Sequence, residues 1–242
     1  MLAGYLPGRE MRLKKDVFKV VVVLPAFNEA KAIGGVVESI PASIGSMQVQ
    51  TVVVDDGSTD ATARAARDAG ARVVRHLTNC GVGAATRTGF RAAIELDGDV
   101  IVTMDADGQH DPADIKSLVD CLIEGNYDVV IGDRMLHPQG MPASRIGANW
   151  LLNAITFLVY HGTVSDTQSG FKCFSPKAIR TMDLKADSYA ICSEMVGEIF
   201  AKGLRYGSVP VQPVYTTYSR AKGQHFLNGI NIILHLFARM MR

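Results

Sequence analysis

Five apolar runs recur along the first half of the chain, and none of them alternates with polar residues. They are "VFKVVVVLPA", "VQTVVVDDGSTD", "ARVVRH", "DVIVTMDAD" and "YDVVIGDR". A strand buried on both faces reads as such a run, whereas a half-buried strand alternates. Between the runs lie segments with apolar residues at helical spacing: "EAKAIGGVVESI", "ATARAARDAG", "GVGAATRTGFRAAIEL" and "PADIKSLVDCLIEG". Ser58 to Asp60 are placed to cap the second segment, Gly70 to close it, and Asp111 to cap the fourth. Strand and helix in alternation predict an α/β fold, a mainly parallel sheet covered by helices on both faces. Strand-to-helix loops of such a sheet gather at its carboxyl edge. "DDGS", "DADGQH" and "GDR" all end strands, so they are expected to face one crevice.

After Arg134 the pattern changes. "SRIGANWLLNAITFLVYHG" is a strongly apolar helix signal, "DTQSGFKCFSP" reads as a loop and short strand, and "SEMVGEIFAKG" as a helix. "RYGSVPVQPVYT" is extended, with prolines that suit an edge strand. Glu194 and Glu198, one helical turn apart, read as a solvated face, the other reading being Glu194 near an acceptor. The final "FLNGINIILHLFARMMR" is amphipathic, with a narrow polar stripe of Asn228, Asn231, His235, Arg239 and Arg242. The expected organisation is an N-terminal extension (1–16), an α/β domain (17–225) and a C-terminal amphipathic helix (226–242). The chain has 242 residues, 48% of them hydrophobic, enough for one substantial core. A net charge of +1 gives no reason to expect nucleic acid as a partner. Cys80, Cys121, Cys173 and Cys192 form no C-x-x-C pair, which suggests reduced thiols in a cytoplasmic chain. Arg9, Glu10, Arg12, Lys14 and Lys15 interrupt any secretory signal, and no uncharged stretch spans a bilayer convincingly, so a membrane would be met from one side.

Three carboxylates and a glutamine crowd the end of the fourth run: Asp105, Asp107, Gln109 and Asp111. If the strand persisted that far, Asp105 and Asp107 would point to the same side. Two adjacent carboxylates raise each other's proton affinity unless a cation neutralises them. Oxygen ligands suit Mg2+ or Mn2+, ions that commonly bind substrate phosphates. The other reading is an acidic surface loop. Gly81, Gly83 and Gly89 do not match a dinucleotide fingerprint and read as close helix-to-sheet packing. Trp150, Phe157 and Tyr160 read as core or interface anchors.

The ordered series "LPAFNEA", "VVVDDGSTD", "NCGVGAATRTG", "DADGQH" and "GDR" resembles family 2 glycosyltransferases of the GT-A fold, specifically the polyprenyl- and dolichyl-phosphate sugar synthases. The resemblance covers about Val20 to His225. It implies that Pro25, Phe27, Asn28 and Glu29 form the first nucleotide-binding loop. Asp55 would hold the base or ribose, with Val54 and Asp56 beside it. Asp105 and Asp107, with Ala106 between them, match the metal-binding D-x-D, and Gln109 its accompanying ligand. Arg134 would lie near the diphosphate. "DTQSGFK" would bring Asp166 and Ser169 to the reacting sugar. Apart from the resemblance, Arg145 precedes the apolar helix and reads either as a flanking charge or as a group that meets an acceptor phosphate. Arg220, Lys222 and Gly223 match the start of a late loop over the diphosphate. Val82 stands where relatives commonly carry lysine, with Arg87 nearby, and His225 stands where the synthases favour serine.

The implied activity is inverting transfer of a sugar from a nucleotide diphosphate sugar, of GDP-mannose or UDP-hexose type, to an isoprenoid lipid phosphate. Mg2+ or Mn2+ would assist. The implied location is the cytoplasmic face of a membrane, held by the lipid surface or a small membrane-protein partner. Asp107, Asp166 and Arg134 would carry the chemistry. An anionic phosphate acceptor hardly needs a base. A glycan or other hydroxyl acceptor would need one, and Asp166 would then serve. A haloacid-dehalogenase-like phosphatase is disfavoured because its D-x-D belongs to an early strand. A non-catalytic nucleotide-sugar sensor is disfavoured by the intact Asp105, Asp107 and Arg134.

Overall fold

The computed structural model describes residues 18–136, 138, 141, 143–162 and 164–214, the side chains of Ser144 and Arg145 excepted. The N-terminal extension, the late loop with Arg220, Lys222 and Gly223, and the terminal helix 226–242 lie outside the described residues. The strands are β1 (Lys19–Ala26), β2 (Ser43–Ile44), β3 (Met47–Asp55), β4 (Arg72–Arg75), β5 (Val100–Thr103), β6 (Val129–Asp133), β7 (Lys172–Phe174) and β8 (Tyr206–Pro210). The helices are α1 (Ile33–Ser39), α2 (Thr62–Asp68), α3 (Val82–Glu95), α4 (Asp114–Glu124), α5 (Ala143–Tyr160), α6 (Pro176–Thr181) and α7 (Ile191–Ala201).

One sheet runs β2-β3-β1-β5-β7-β6-β8, with β4 pairing the C-terminal half of β3. Successive residues of each central strand enter opposite cores. Val20, Val22 and Leu24 pack with Ile33, Ile115 and Leu118 on one face. Val21 and Val23 pack with Ala85, Phe90 and Ile199 on the other. Both faces of β1 are therefore covered, which is why its sequence does not alternate.

The sheet is mixed. β7 runs antiparallel between β5 and β6, which are neighbours in sequence but not in the sheet. An antiparallel strand starts where its parallel neighbours end. Lys172, the first residue of β7, pairs with Thr103, the last of β5. The segment before β7 thus joins the strand-to-helix loops at the carboxyl edge. β8 occupies the outer edge, as its prolines suggest.

Glu194 and Glu198 are buried rather than solvated. Glu194 Oε2 accepts from the backbone N–H groups of Lys185 and Ala186, at 2.9 and 2.8 Å, and Glu198 Oε2 accepts from that of Asp183 at 3.0 Å. The two glutamates hold the α6–α7 connection onto α7, so buried carboxylates replace the backbone partners that an irregular loop lacks.

Candidate active site

The first two carboxyl-edge loops hold each other by reciprocal hydrogen bonds. Ser58 Oγ accepts from Asn28 N at 2.9 Å, and Asn28 Oδ1 accepts from Thr59 N at 2.9 Å. Thr62 Oγ1 accepts from Glu29 N, and Asp60 accepts from both Ala30 N and Thr62 N. Asp60 so serves the start of α2, as expected, and also ties down residues 28–30. Asp111 Oδ1 likewise accepts from Ala113 N at 2.9 Å just before α4. Phe27 is 40% exposed at the crevice rim.

Asp55 and Asp56 are both buried. Asp56 accepts from Cys80 N at 2.9 Å and Gly81 N at 2.8 Å, and its Oδ1 lies 2.7 Å from His76 Nδ1. It organises the start of α3 rather than facing a ligand. Asp56, His76 and Cys80 bring ligand atoms within 4.8 Å of one another. Both nitrogens of His76 are already engaged, the second by Thr88 Oγ1 at 2.9 Å, so the cluster reads as a structural network. Asp55 Oδ1 accepts from Ser58 N, and Oδ2 lies 3.1 Å from Arg75 Nε. Val54 and Ala106 place their side chains in the core, contrary to a side-chain role in nucleotide binding. Arg87 does not stand in for the lysine missing at Val82, because it bonds Ala186 O and the Asp187 carboxylate. The glycines divide in role. A Cβ at Gly89 would come within 2.1 Å of Val23 Cγ1, which is helix-to-sheet packing, but Gly81 and Gly83 are crossed closely by the backbone of residues 186–187.

β5 ends at Thr103, so strand alternation does not place the acidic pair; a turn over residues 106–108 does. Asp105 is about half exposed, and its Oδ2 lies 3.0 Å from Nε2 of the buried His110. The His110 ring packs against Phe171, with centroids 4.9 Å apart. Burial pushes the Asp105 carboxyl pKa up, but the His110 hydrogen bond and the charges of His110, Arg134 and Lys172 outweigh it and hold the group below the usual range. Asp107 moves the opposite way, raised by burial and by the Asp105 charge against the hydrogen bonds from Gln109. Gln109 folds back, its amide and backbone N–H both donating to Asp107, so here it orients the carboxylate. An oxygen-only pair in which one member is made reluctant to ionise by the other fits a hard divalent cation.

Gly170 makes room for Asp105. A Cβ there would lie 2.4 Å from Asp105 Oδ1 and 2.7 Å from Oδ2. Thr103 Oγ1, donating to Gly170 O at 2.9 Å, fixes that backbone in place. Gly170→Ala is therefore expected to displace the carboxylate and slow turnover about 100-fold, the scale of ångström misplacements. Steady-state rates beside melting curves check this, and a rate within about twofold of wild type would show that the carboxylate moves aside freely.

Arg134 and Asp166 form a fork. Arg134 Nε donates to Asp166 Oδ2 at 2.7 Å, NH2 to Oδ1 at 2.8 Å, and the Arg134 backbone N–H to Oδ2 at 3.1 Å. Asn149 Nδ2 adds a contact to Oδ1 at 3.3 Å. Asp166 is fully buried. Burial raises its pKa, but the hydrogen bonds and charge of Arg134 and the charge of Lys172 outweigh it and keep the carboxyl well ionised. The carboxylate expected to face a reacting sugar is thus occupied in aiming Arg134. Ser169, also expected near the sugar, is buried, and its Oγ accepts from Phe171 N. Arg145 falls in the first turn of α5.

Two residues that sequence reading passed over belong to the site. Tyr189 stands close enough to Asp105 and Asp107 for their charges, after burial, to push its hydroxyl up to about 12. Lys172 is a buried lysine beside Asp105. A lysine within a short apolar run, "FKCF", was the available signal for the second; the first has none.

The chain compares with known proteins over most of its length. A family model described as "Glycosyl transferase family 2" matches residues 21–185. Uncharacterized protein MJ1222 of Methanocaldococcus jannaschii is 39% identical over 231 residues, covering 93% of this chain and 92% of that protein. The UDP-N-acetylglucosamine--dolichyl-phosphate N-acetylglucosaminyltransferase of Methanococcus voltae is 33% identical over 244 residues, covering 92% and 96%. Among solved structures, glucosyl-3-phosphoglycerate synthase from Mycobacterium tuberculosis in complex with Mn2+, UDP and phosphoglyceric acid superposes with a TM-score of 0.67 at 24% identity, covering 92% of this chain and 78% of that one, a likeness of fold. An acidic pair at a carboxyl edge, approached by an antiparallel strand and backed by an arginine–aspartate fork, thus sits in a chain that belongs to glycosyl transferase family 2.

Proposed function

We propose that this glycosyltransferase moves a sugar from a nucleotide diphosphate sugar to an isoprenoid lipid phosphate, with Mg2+ or Mn2+ held by Asp105 and Asp107. The observation that carries the acceptor is the state of Asp166. Both its oxygens are taken by Arg134, so the carboxylate offered as a base is not poised to remove a proton. A phosphate acceptor is already anionic and requires no such base. The name of the Methanococcus voltae relative points to the same acceptor class.

Each residue then has a task. The joined loops at residues 27–30 and 55–60 receive the nucleoside. Asp105, set by His110 and given space by Gly170, and Asp107, set by Gln109, offer oxygen ligands beside the diphosphate. A bound divalent ion would offset charge growing on the leaving diphosphate. Arg134 keeps a fixed positive charge near the same crevice because Asp166 holds its guanidinium from behind. Incubating the purified chain with labelled UDP-N-acetylglucosamine, UDP-glucose or GDP-mannose and dolichyl or undecaprenyl phosphate, then counting the organic phase, tests the reading. Label confined to water-soluble glycans would overturn it.

We also place the protein at a membrane surface. Among the described residues no helix is long and apolar enough to cross a membrane. α5, however, exposes Trp150, Leu151, Phe157 and Leu158, at 68%, 55%, 53% and 63%. A helix face of this kind suits the boundary between headgroups and acyl chains, where a lipid phosphate would be met. We propose that the amphipathic segment 226–242, which lies outside the described residues, shares this task. Trp150→Ser with Phe157→Ser is expected to lower partitioning onto anionic vesicles about 10-fold or more, given the burial energy of two aromatic rings. Flotation of the double variant equal to wild type would remove α5 as a contact.

A further inference from the structure

A small cavity lies beneath Asp105, between the carboxyl edge of the sheet and the start of α7. It encloses about 40 Å³, and its polar lining includes Asp105, Gln168, Lys172 and Tyr189. That is space for on the order of three water-sized positions, enough for a hydroxymethyl group.

Lys172 is 1% exposed. An ammonium carries three donors. Among the described residues this one has a single hydrogen-bond partner, the Ser169 carbonyl, and no carboxylate within ion-pair distance. Asp105 and Asp166 offset its charge from beyond hydrogen-bond distance, but with Ser169 O as its one acceptor among the described residues, buried N–H donors stay open, which is costly unless another group completes them. Gln168 presents the complementary half. Its Nε2 donates to Ser193 Oγ at 2.8 Å and to Thr167 Oγ1 at 3.2 Å, which fixes the amide and leaves Oε1 as an acceptor without a protein partner among the described residues. Tyr189, 38% exposed, adds a hydroxyl that has no bond to the described residues and can turn toward the same ligand. A fixed donor beside a fixed acceptor matches a hydroxyl, which both accepts and donates, better than an anion, which only accepts.

We propose that Lys172, Gln168 and Tyr189 form a subsite for a hydroxyl or hydroxymethyl group of the transferred sugar. The subsite rests on the reading of the protein as a nucleotide-sugar transferase. Its place beside Asp105 puts it next to the sugar end of a donor whose diphosphate meets the acidic pair. It bears on which sugar is accepted: a site that hydrogen-bonds a substrate hydroxyl rejects the analogue lacking it.

The test is titration calorimetry of the full chain in manganese, with UDP and GDP and with UDP-N-acetylglucosamine, UDP-glucose and GDP-mannose. Lys172→Met removes the charge and keeps an unbranched chain, a change that buried sites often tolerate. It is expected to weaken the preferred nucleotide sugar about 10- to 100-fold, as for a hydrogen bond to a charged group, and its parent nucleoside diphosphate by less than about twofold. With monodeoxy donors, loss of one particular hydroxyl should cost wild type that factor and cost Lys172→Met nothing further. If Lys172→Met does not fold, Gln168→Ala, which leaves the buried charge in place, decides on the same criterion. Equal losses for nucleotide and nucleotide sugar, or none for either, would overturn the subsite and leave the transferase reading intact. A wild-type chain that binds no nucleotide would overturn both.

Discussion

Asp107→Asn is expected to abolish sugar transfer while leaving the melting temperature unchanged or slightly raised. The two halves of this result have separate causes. Activity depends on two ionised oxygen ligands beside the diphosphate, and loss of one electrostatic contributor of this kind costs about 100- to 1,000-fold. Stability follows the charges: partial burial and the neighbouring Asp105 carboxylate both raise the Asp107 pKa, so neutralising it removes an unfavourable charge from the folded chain. Asp105→Asn should lose activity equally but melt lower. Asp105 is held ionised by the hydrogen bond from His110 and by the nearby charges of His110, Arg134 and Lys172, and those cations lose their counter-charge when it goes. Manganese binding followed by electron paramagnetic resonance, with melting curves for both variants, reads the two effects apart. Full activity of either variant in the presence of a chelator would end the metal role.

Asp166→Asn should produce the largest loss of stability. Its carboxylate is fully buried and accepts the Arg134 fork at 2.7 and 2.8 Å. Removing one partner of a buried pair typically costs about 3–5 kcal/mol because the other charge is left uncompensated. For a chain of this size that is a fall of about 10 °C in melting temperature. Transfer should drop at least about 10-fold, since Arg134 loses its aim, yet remain measurable. The acid limb of the rate–pH profile should not move, because Asp166 positions a cation rather than taking a proton. Loss of that limb would make Asp166 a base and favour a hydroxyl acceptor. A wild-type rate would remove the residue from the mechanism altogether.

How far each feature could be read from residues alone depended on the range of the interaction behind it. Uninterrupted valine runs required strands covered on both faces, and the loops after them required a shared edge, so the neighbourhood of Asp105, Asp107 and Arg134 was legible at once. Those are local consequences of periodicity. The insertion of β7 between β5 and β6 is a pairing over about 70 residues of chain, and short apolar runs carry no sign of direction. From that one antiparallel strand follow the placement of Gly170 against Asp105, the fork from Asp166 to Arg134, and the buried Lys172. Likewise Glu194 and Glu198 looked solvated by spacing, because their backbone partners lie in a loop whose path periodicity does not encode. The sequence by itself determined the α/β class, the family and the acidic edge. Only the tertiary structure decided which carboxylates face the crevice and which are spent on holding it in shape, because a charged side chain's role is set by the partners that long-range packing brings within about 3 Å of it.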